Sequence, residues 1–139
     1  MKVITHDTAD AETFVFSDKL DRELLEQNYK SRLKLAYRIY VLFINTTQAE
    51  IDTITQAANV SDFKMVNDTI HKIKNNFLHV GLSETHKLLT EMDTASKNQS
   101  NFIKELSKKL ELKYANDLII IKDQLKDIKL HLTARNIAV

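Results

Sequence analysis

The near absence of residues that interrupt helices is the feature that most constrains this chain. Its 139 residues contain no proline and one glycine, Gly81. In a helix interior, proline costs about 3 kcal/mol and glycine about 1 kcal/mol relative to alanine. Apolar side chains also recur every three or four positions, which is the period of an amphipathic helix rather than of a strand. The sequence therefore predicts an all-α protein.

Short polar breaks separate the predicted helices. Ser17 or Asp18 suits the N-cap of the first helix, Ser61 or Asp62 that of the third, and Ser83 that of the fourth, because a short side chain can accept a hydrogen bond from a free backbone N–H. The predicted helices cover about residues 18–30, 33–58, 63–80, 83–93 and 102–132. The apolar stripe of the fifth helix comprises Phe102, Leu106, Leu110, Tyr114, Leu118, Ile121, Leu125, Ile128 and Leu132.

The short connections favour helices that pack against their sequence neighbours in antiparallel directions. We expect residues 33–132 to form an antiparallel, up-and-down four-helix bundle with the first helix as an accessory lid. Gly81 can end the third helix, because glycine readily adopts the left-handed conformation. Residues 1–16 show no helical period, although the Phe-Val-Phe segment at 14–16 can dock as an extended anchor. Since no linker or repeat divides the chain, a single domain is expected over residues 1–139.

The third predicted helix carries the candidate site. Its apolar positions are spaced alternately three and four residues apart and form one stripe, which consists of Phe63, Val66, Ile70, Ile73, Phe77 and Val80. On a helical wheel at about 100° per residue, His71 lies about 130° from the centre of that stripe. We therefore expect His71 to face solvent while Ile70, Ile73 and Phe77 are buried.

Four residues lie on the same side of this helix as His71, one or two turns away. They are Asn67, Lys74, Asn75 and Leu78. An imidazole beside a cation suits a phosphoryl group, since a ring nitrogen can attack phosphorus and the ammonium group can then neutralise phosphoryl oxygens. Taken alone, an exposed histidine is usually a polar surface residue, and that interpretation also fits His79 and His86.

A wider set of residues has the spacing of a known family. The matching residues are Asp62-Phe63, Ile70-His71-Lys72-Ile73-Lys74, Gly81, Leu88-Leu89 and Met92-Asp93. Through these residues the chain resembles the histidine phosphotransfer (HPt) domain of bacterial multistep phosphorelays, whose signature runs D-(aromatic)…A-H-x-L-K-G-S-x…G…L-C-x-x-L-E. The similarity extends upstream through residues 42–57 and covers most of residues 16–130.

The resemblance implies that His71 accepts a phosphoryl group from an aspartyl phosphate on a response regulator receiver domain and passes it to another receiver. Lys74 would hold the phosphoryl oxygens, and Asn67, Asn75 and Leu78 would contribute to the partner surface. A hybrid sensor histidine kinase is the implied upstream partner. The domain would not be an enzyme, and it would need no cofactor, ATP or metal, because the receiver brings Mg²⁺. The family also implies a monomer.

Two positions depart from the family pattern. Asn75 stands one helical turn after His71, where the family usually has glycine, and Phe77 stands where a small residue is usual. A glycine leaves room for the approaching partner, whereas Asn75 can either donate a hydrogen bond to phosphoryl oxygens or slow docking. Phe77 falls on the apolar stripe, and we expect it to fill the core.

Two other classes of protein share the helical pattern. A phosphorylation-independent adaptor that binds receiver or kinase domains would keep the bundle without the transfer role; Asn75 supports it, whereas His71 and Lys74 together count against it. A carboxylate-bridged metal bundle needs Glu-x-x-His pairs on facing helices, but only His71 has an acid three residues before it, and that acid is Asp68. The sequence also lacks cysteine, so no thiolate metal site is predicted.

Composition and charge exclude further classes of partner. The single glycine rules out the P-loop and Rossmann fingerprints, which need several glycines. Lys and Arg total 20 against 19 Asp and Glu, so a net charge of +1 gives no strong field to attract nucleic acid or anionic lipid. The longest apolar run, residues 39–44, is far shorter than the about 20 residues that span a membrane. With no signal-peptide pattern before Asp7, we expect a cytoplasmic protein that binds neither nucleic acid nor membrane.

Overall fold

The structure, a computed structural model, describes residues 14–135. Five helices and no strand occur among these residues, which confirms the all-α prediction. The helices are α1 (Arg22–Tyr29), α2 (Leu33–Asn59), α3 (Phe63–His79), α4 (Ser83–Lys97) and α5 (Ile103–Ala134). Over the same range, none of the helices combines the length and apolar content that crossing a membrane requires.

The first helix begins later than predicted. Asp21 is its N-cap, and the Asp21 carboxylate accepts a hydrogen bond of 3.2 Å from the Leu24 backbone N–H. The Ser17 hydroxyl instead accepts a hydrogen bond of 3.1 Å from the Lys19 backbone N–H, and the Ser17 backbone N–H donates to the Gln124 side-chain oxygen of α5 at 2.7 Å. The predicted cap at Ser17 or Asp18 is therefore wrong.

The ends of α3 agree with the predicted signals. The Asp62 carboxylate caps the N-terminus by accepting a hydrogen bond of 3.1 Å from the Met65 backbone N–H. Gly81 follows the C-terminus with a φ of +83°, in the left-handed region that favours glycine. A Cβ at position 81 would lie 2.8 Å from Leu25 Cδ1, so the packing of α1 against this turn also requires glycine.

The start of α4 differs from its predicted signal. Ser83 is the first helical residue rather than the N-cap, so the predicted cap at Ser83 is wrong. The Ser83 hydroxyl instead donates to the Asp21 carboxylate at 2.7 Å. The Asp21 backbone N–H in turn donates to the Gly81 carbonyl at 2.9 Å. These two hydrogen bonds join the start of α1 to the turn between α3 and α4.

The apolar core lies between the four longer helices. Helix α3 packs against α2 and α4, and α5 packs against the same two helices. Phe77 is fully buried, as predicted, and its ring contacts Phe43 of α2 edge-to-face at 5.0 Å and Tyr114 of α5 at 6.2 Å. Phe63, at the start of the predicted stripe, is only half-buried. The stripe on α3 is therefore confirmed except at its first position.

The buried face of α5 differs from the predicted apolar stripe. Phe102 lies one residue before the helix and is 52% exposed, and Leu118 and Leu125 are half-buried. Asp117 and Gln124 are buried in the positions next to them. Each of these polar side chains accepts a hydrogen bond from a residue distant in sequence, which is what allows a polar group in a core.

The segment before α1 packs against the helices as predicted. Phe14 and Phe16 are buried, with their rings edge-to-face at 5.0 Å, while Val15 between them is exposed. The Arg22 guanidinium group donates to the Phe16 carbonyl at 2.8 Å, which fixes the segment to the start of α1. The anchor expected at residues 14–16 is therefore confirmed, whereas the rest of the predicted irregular segment, residues 1–13, lies outside the described residues.

Candidate functional site

His71 lies in the middle of α3, on the side that meets α4. Its side chain is 53% exposed, whereas Ile70, Ile73 and Phe77 are buried. The spacing of the apolar residues on α3 determines this arrangement, because the helix turns its apolar stripe into the core and rotates His71 away from it. The predicted exposure of His71 is confirmed.

The buried carboxylate of Asp93 on α4 contacts the His71 imidazole. His71 Nε2 lies 3.0 Å from Asp93 Oδ1, and Asp93 is 7% exposed. The Asn67 amide donates to the same oxygen, and Lys97 Nζ lies 3.3 Å from Asp93 Oδ2. The Ser96 hydroxyl accepts a hydrogen bond of 3.1 Å from the Asn67 amide and donates one of 2.8 Å to the Asp93 carbonyl. We refer to these five residues as the Asp93 network.

Helical spacing places the members of the Asp93 network side by side. Asn67 and His71 are four residues apart on α3, and Asp93, Ser96 and Lys97 are three and four residues apart on α4, so each set shares one face of its helix. The short turn after α3 reverses the chain, so that residues late in α4 lie beside residues early in α3. The site is thus built on two helices instead of on loops.

The donors around Asp93 outweigh the effect of its burial. Burial raises the pKa of this carboxyl, but the hydrogen bonds from Lys97 and His71, together with their charge, hold the pKa of Asp93 below its ordinary value. Asp93 is therefore ionised at neutral pH, and an ionised carboxylate only accepts hydrogen bonds. It follows that His71 Nε2 carries a hydrogen and donates it to Asp93.

Lys74 stands one helical turn after His71 and has an uncommitted charge. The structure shows no ion pair for Lys74 with any residue in the range 14–135. Two other lysines of α3 differ, since Lys64 pairs with Asp68 at 2.7 Å and Lys72 pairs with Glu50 at 2.6 Å. The ammonium group of Lys74 is therefore available to an anion.

His86 of α4 shows where the charge of Lys74 acts. Burial and the nearby positive charge of Lys74 both lower the pKa of His86. Lys74 of α3 therefore lies close enough to His86 of α4 for its charge to act on that imidazole. No hydrogen bond joins Lys74 to His71 within the described part of the chain, so only their spacing on α3 brings these two residues together.

The three residues predicted to contact a partner have different surroundings. Asn75 is exposed one turn after His71, and Leu78 is half-buried one turn further along α3. Both residues lie on the same side of α3 as His71, four and seven positions after it. Asn67 is half-buried, and its amide nitrogen is already engaged by Asp93 and Ser96. Its observed contacts are therefore with the protein itself.

Sequence reasoning found His71 but missed the residues that hold it. Asp93 entered only as part of the family pattern, and no role at the site was assigned to Asp93, Ser96 or Lys97. A signal was present, because three polar side chains at spacings of three and four form a polar stripe on α4. That stripe faces α3 only if the register between the two helices is known.

A second buried carboxylate lies near the other end of α4. Asp117 of α5 accepts a hydrogen bond from the Thr85 hydroxyl, and Lys113 Nζ lies 3.9 Å from its second oxygen. Burial is the main cause that raises the pKa of Asp117. A cleft of about 410 Å³ beside it is lined in part by Asp21 and Ser83. Within residues 14–135, no three His, Cys, Asp or Glu side chains are grouped so that they could hold a metal ion.

Comparisons of this chain with protein-family models, with curated proteins and with solved structures find no significant match. The functional argument therefore depends on the residues around His71 and on their geometry. Three features carry it: an exposed imidazole, a buried carboxylate that binds it, and an uncommitted lysine one turn away.

Proposed function

We propose that this chain is a histidine phosphotransfer protein of the HPt type, in which His71 accepts a phosphoryl group from a receiver-domain aspartate and passes it to another receiver. The observation that carries the proposal is the contact between Asp93 and His71. An imidazole side chain that is 53% exposed is held at 3.0 Å by an aspartate side chain that is 11% exposed. A buried carboxylate that orients an exposed imidazole is an arrangement typical of sites where histidine acts chemically.

The proposed fold is an antiparallel, up-and-down four-helix bundle formed by α2–α5, with α1 as an accessory helix. The helix contacts support it, since α2 and α4 each pack against both α3 and α5. A bundle of this kind offers rigid helices for a site that two other proteins must reach in turn. The imidazole then stands on a helix face instead of in a cleft, so that a receiver's own catalytic groups can close over it.

In the proposed reaction, the lone pair of a ring nitrogen of His71 attacks the phosphorus of the aspartyl phosphate. A P–N bond forms, the P–O bond to the donor breaks, and the electron pair of that bond leaves with the donor carboxylate. The ring of phosphohistidine keeps its other N–H and carries a positive charge. Asp93 faces that charge, and Lys74 neutralises the phosphoryl oxygens. The reverse reaction transfers the group to the aspartate of another receiver.

The proposed partners are response regulator receiver domains and a hybrid sensor histidine kinase. Asn75 and Leu78 lie on the same side of α3 as His71 and would supply a polar and an apolar contact, which is the mixture usual at the edge of a transient interface. The protein would serve as a monomeric, cytoplasmic carrier rather than as an enzyme. Since a receiver supplies Mg²⁺ and catalytic side chains, the carrier would need no cofactor or metal of its own.

Incubation with a phosphorylated receiver tests the proposal. We expect an acid-labile, alkali-stable phosphoryl adduct on this chain, located at His71 by mass spectrometry. His71→Gln should abolish the adduct and leave helix content unchanged, whereas His79→Gln and His86→Gln should still accept the group. Label on His79 or His86 but not on His71, or no label with any receiver of the source genome, would contradict the proposal.

The exposed Asn75 favours one second candidate, a phosphorylation-independent adaptor that binds receiver or kinase domains. Its amide occupies the position one turn from His71 that a docking phosphoryl group has to approach. For an adaptor, the affinity for a receiver should be the same in wild type and His71→Gln, and no phosphoryl adduct should form. Calorimetric titration of both proteins with one receiver separates the two functions.

A further inference from the structure

A cleft lies between the start of α4, the middle of α5 and the segment that precedes α1. Its volume is about 410 Å³, within the range of about 300–1,000 Å³ that is usual for sites of small molecules. None of its lining residues belongs to the Asp93 network or to the surroundings of His71. The lining includes three acidic, two basic and three aliphatic side chains, which are Asp21, Glu84, Asp117, Lys19, Lys113, Leu20, Leu82 and Ile120.

One oxygen of the buried Asp117 carboxylate is available to a ligand in this cleft. The Asp117 side chain is 3% exposed and lines the cleft. Its Oδ2 accepts the hydrogen bond from the Thr85 hydroxyl, whereas Lys113 Nζ lies 3.9 Å from Oδ1, which is longer than a hydrogen bond. The structure shows no hydrogen-bond donor to Oδ1 within residues 14–135. Because burial raises the pKa of Asp117, a further cationic donor at Oδ1 would stabilise its ionised form.

The N-terminus of α4 borders the same cleft. Residues 82–85 all contribute to the lining. No side chain caps this helix, and its first turn is closed by the hydrogen bond of 3.1 Å from the His86 backbone N–H to the Leu82 carbonyl. The backbone N–H groups of residues 83–85 therefore have no acceptor within the helix. Free N–H groups at the positive end of a helix favour a carboxylate or another anion.

The lining favours a ligand that carries both charges. An anion alone would meet three carboxylates, and a cation alone would meet two lysines and the positive end of α4. A bare metal ion does not fit either, since no three His, Cys, Asp or Glu side chains in the described range are grouped to hold one. A small zwitterion satisfies both ends, with its cationic group at Asp117 Oδ1 and its anionic group at the start of α4. Leu82 and Ile120 offer apolar surface to the rest of such a molecule.

We propose that this cleft binds a free amino acid with an aliphatic side chain. Its ammonium group donates to Asp117 Oδ1, and its carboxylate accepts hydrogen bonds from the backbone N–H groups of residues 83–85. Its side chain contacts Leu82 and Ile120. No residue around His71 takes part, so the site is independent of phosphoryl transfer.

NMR titration of the ¹⁵N-labelled full chain with L-leucine, L-isoleucine and L-valine in turn measures binding. We expect saturable shifts of the backbone amide signals of residues 83–85 and of Asp117. Absence of saturable shifts at these positions with all three amino acids would overturn the proposal.

Two analogues of leucine test the two charged contacts separately. 4-Methylpentanoate keeps the carbon skeleton and carboxylate of leucine but lacks the ammonium group, and 3-methylbutylamine keeps the ammonium group but lacks the carboxylate. Each should bind at least about tenfold more weakly than L-leucine, because each loses one charge-assisted contact. If either analogue binds as tightly as L-leucine, the ligand is not recognised as a zwitterion and the proposal is wrong.

Asp117→Asn tests the contact with the ammonium group. The amide keeps an acceptor for Thr85 but can turn its NH₂ group towards the ligand, so the affinity for L-leucine should fall about tenfold or more. Glu111→Gln is the control, because Glu111 is an exposed acid of α5 outside the cleft, and it should bind L-leucine as the wild type does. Equal affinity in wild type and Asp117→Asn would overturn the role of Asp117. If Asp117→Asn does not fold, as judged by helix content, the comparison of L-leucine with its two analogues on the wild type still decides.

Discussion

Asp93 and Asp117 are both buried carboxylates on neighbouring helices, but their surroundings have opposite effects on their ionisation. Asp93 has the His71 ring, the Asn67 amide and Lys97 around it, and its pKa lies below the ordinary value. Asp117 accepts one hydrogen bond, from the Thr85 hydroxyl, and its pKa is raised. Burial raises the pKa of both groups, but Asp117 is the more deeply buried, and Lys113 is its one cationic neighbour in an ion pair among the described residues, whereas Asp93 has two charged or chargeable donors.

The two carboxylates also differ in position: Asp93 belongs to a site that reaches the surface, whereas Asp117 makes a contact inside the protein. Through His71, the Asp93 network reaches solvent, so its charge can act on a bound group. Asp117 and Thr85 are both buried, and their hydrogen bond links α5 to α4 inside the protein. We therefore expect changes at Asp93 to alter phosphoryl transfer, and changes at Thr85 or Asp117 to alter the free energy of unfolding.

The largest effect on stability is expected from Thr85→Val. Valine keeps the shape of threonine but removes the donor, so the buried Asp117 carboxylate loses its hydrogen bond. The free energy of unfolding should fall by about 2 kcal/mol, measured by urea denaturation at neutral pH. Thr90→Val is the control, because the exposed Thr90 hydroxyl bonds to the His86 carbonyl of its own helix, and it should change stability by less than about 0.5 kcal/mol. Equal effects at both positions would show that the contact with Asp117 is not what Thr85 contributes.

Replacing each aspartate by asparagine should change stability at neutral pH in opposite directions. Asp93→Asn loses charge-assisted hydrogen bonds with His71 and Lys97 and should lower the free energy of unfolding by about 1 kcal/mol. Asp117→Asn removes a carboxylate whose ionisation burial disfavours, and it keeps an acceptor for Thr85, so stability should rise by up to about 1 kcal/mol. Urea denaturation of both variants and the wild type measures the two signs.

The pH dependence of these differences provides a second check. The folded-state pKa of Asp93 is lowered, so its ionised form stabilises the fold above the ordinary value of 3.8, and this contribution is lost as pH falls through the lowered pKa. The folded-state pKa of Asp117 is raised, so its ionisation opposes folding at neutral pH, and the opposition disappears as pH falls through the raised pKa towards 3.8. The advantage of Asp117→Asn should therefore vanish at a higher pH than the disadvantage of Asp93→Asn. The reverse order would contradict the assignment of the two environments.

The exposed half of the candidate site could be predicted from the sequence, whereas the buried half could not. The position of His71 on the surface of α3 depends on the period of the apolar residues within one helix, and that period is visible in the sequence. The contact with Asp93 depends on the register between α3 and α4, that is, on which residues of the two helices lie side by side. That register is determined by the turn around Gly81 and by core packing, so the spacing along one helix contains no information about it.

Contacts between distant parts of the chain also explain two wrong predictions, the buried face of α5 and the N-cap before α1. Counting apolar positions favoured Leu118 and Leu125 for the buried face, yet the structure buries Asp117 and Gln124, because Thr85 and Ser17 supply hydrogen bonds from distant parts of the chain. Ser17 suits an N-cap by residue type, but the helix begins after Asp21, and the Ser17 backbone N–H donates to Gln124 of α5. Local propensity thus predicted which segments are helical, and long-range hydrogen bonds determined which polar residues are buried.

A smaller effect is expected on the rate of phosphoryl transfer from Lys74→Ala. The Lys74 ammonium group has no acidic partner in the described range, so it can bind phosphoryl oxygens without first breaking an ion pair. A charge-assisted contact near the surface contributes about 1 kcal/mol, which corresponds to a rate lowered about fivefold. Transfer from one phosphorylated receiver measures this, with Lys72→Ala as the control because Lys72 is paired with Glu50. Equal losses in both variants would assign the effect to overall charge instead of to Lys74.

The smallest effect, a second gain in stability, is expected at Tyr114, one helical turn before Asp117. Its hydroxyl is buried with no hydrogen-bond partner in the described range, and burial, with the negative charges of Asp117 and Asp52, raises its pKa to about 12. Tyr114→Phe keeps the ring in contact with Phe43 and Phe77 and removes the unpaired group. The free energy of unfolding should rise by up to about 1 kcal/mol.

Ser96→Ala is the matched change in the Asp93 network and should have the opposite sign. Its hydroxyl accepts a hydrogen bond from Asn67 at 3.1 Å and donates one to the Asp93 carbonyl at 2.8 Å, so its removal leaves both partners with one bond fewer. Stability should fall by about 1 kcal/mol. If thermal unfolding shows Ser96→Ala to be neutral while Tyr114→Phe is destabilising, then the Asp93 network and the surroundings of Tyr114 do not differ in how well their buried polar groups are satisfied. In that case the hydrogen bonds of the Ser96 hydroxyl would add nothing measurable to the free energy of unfolding.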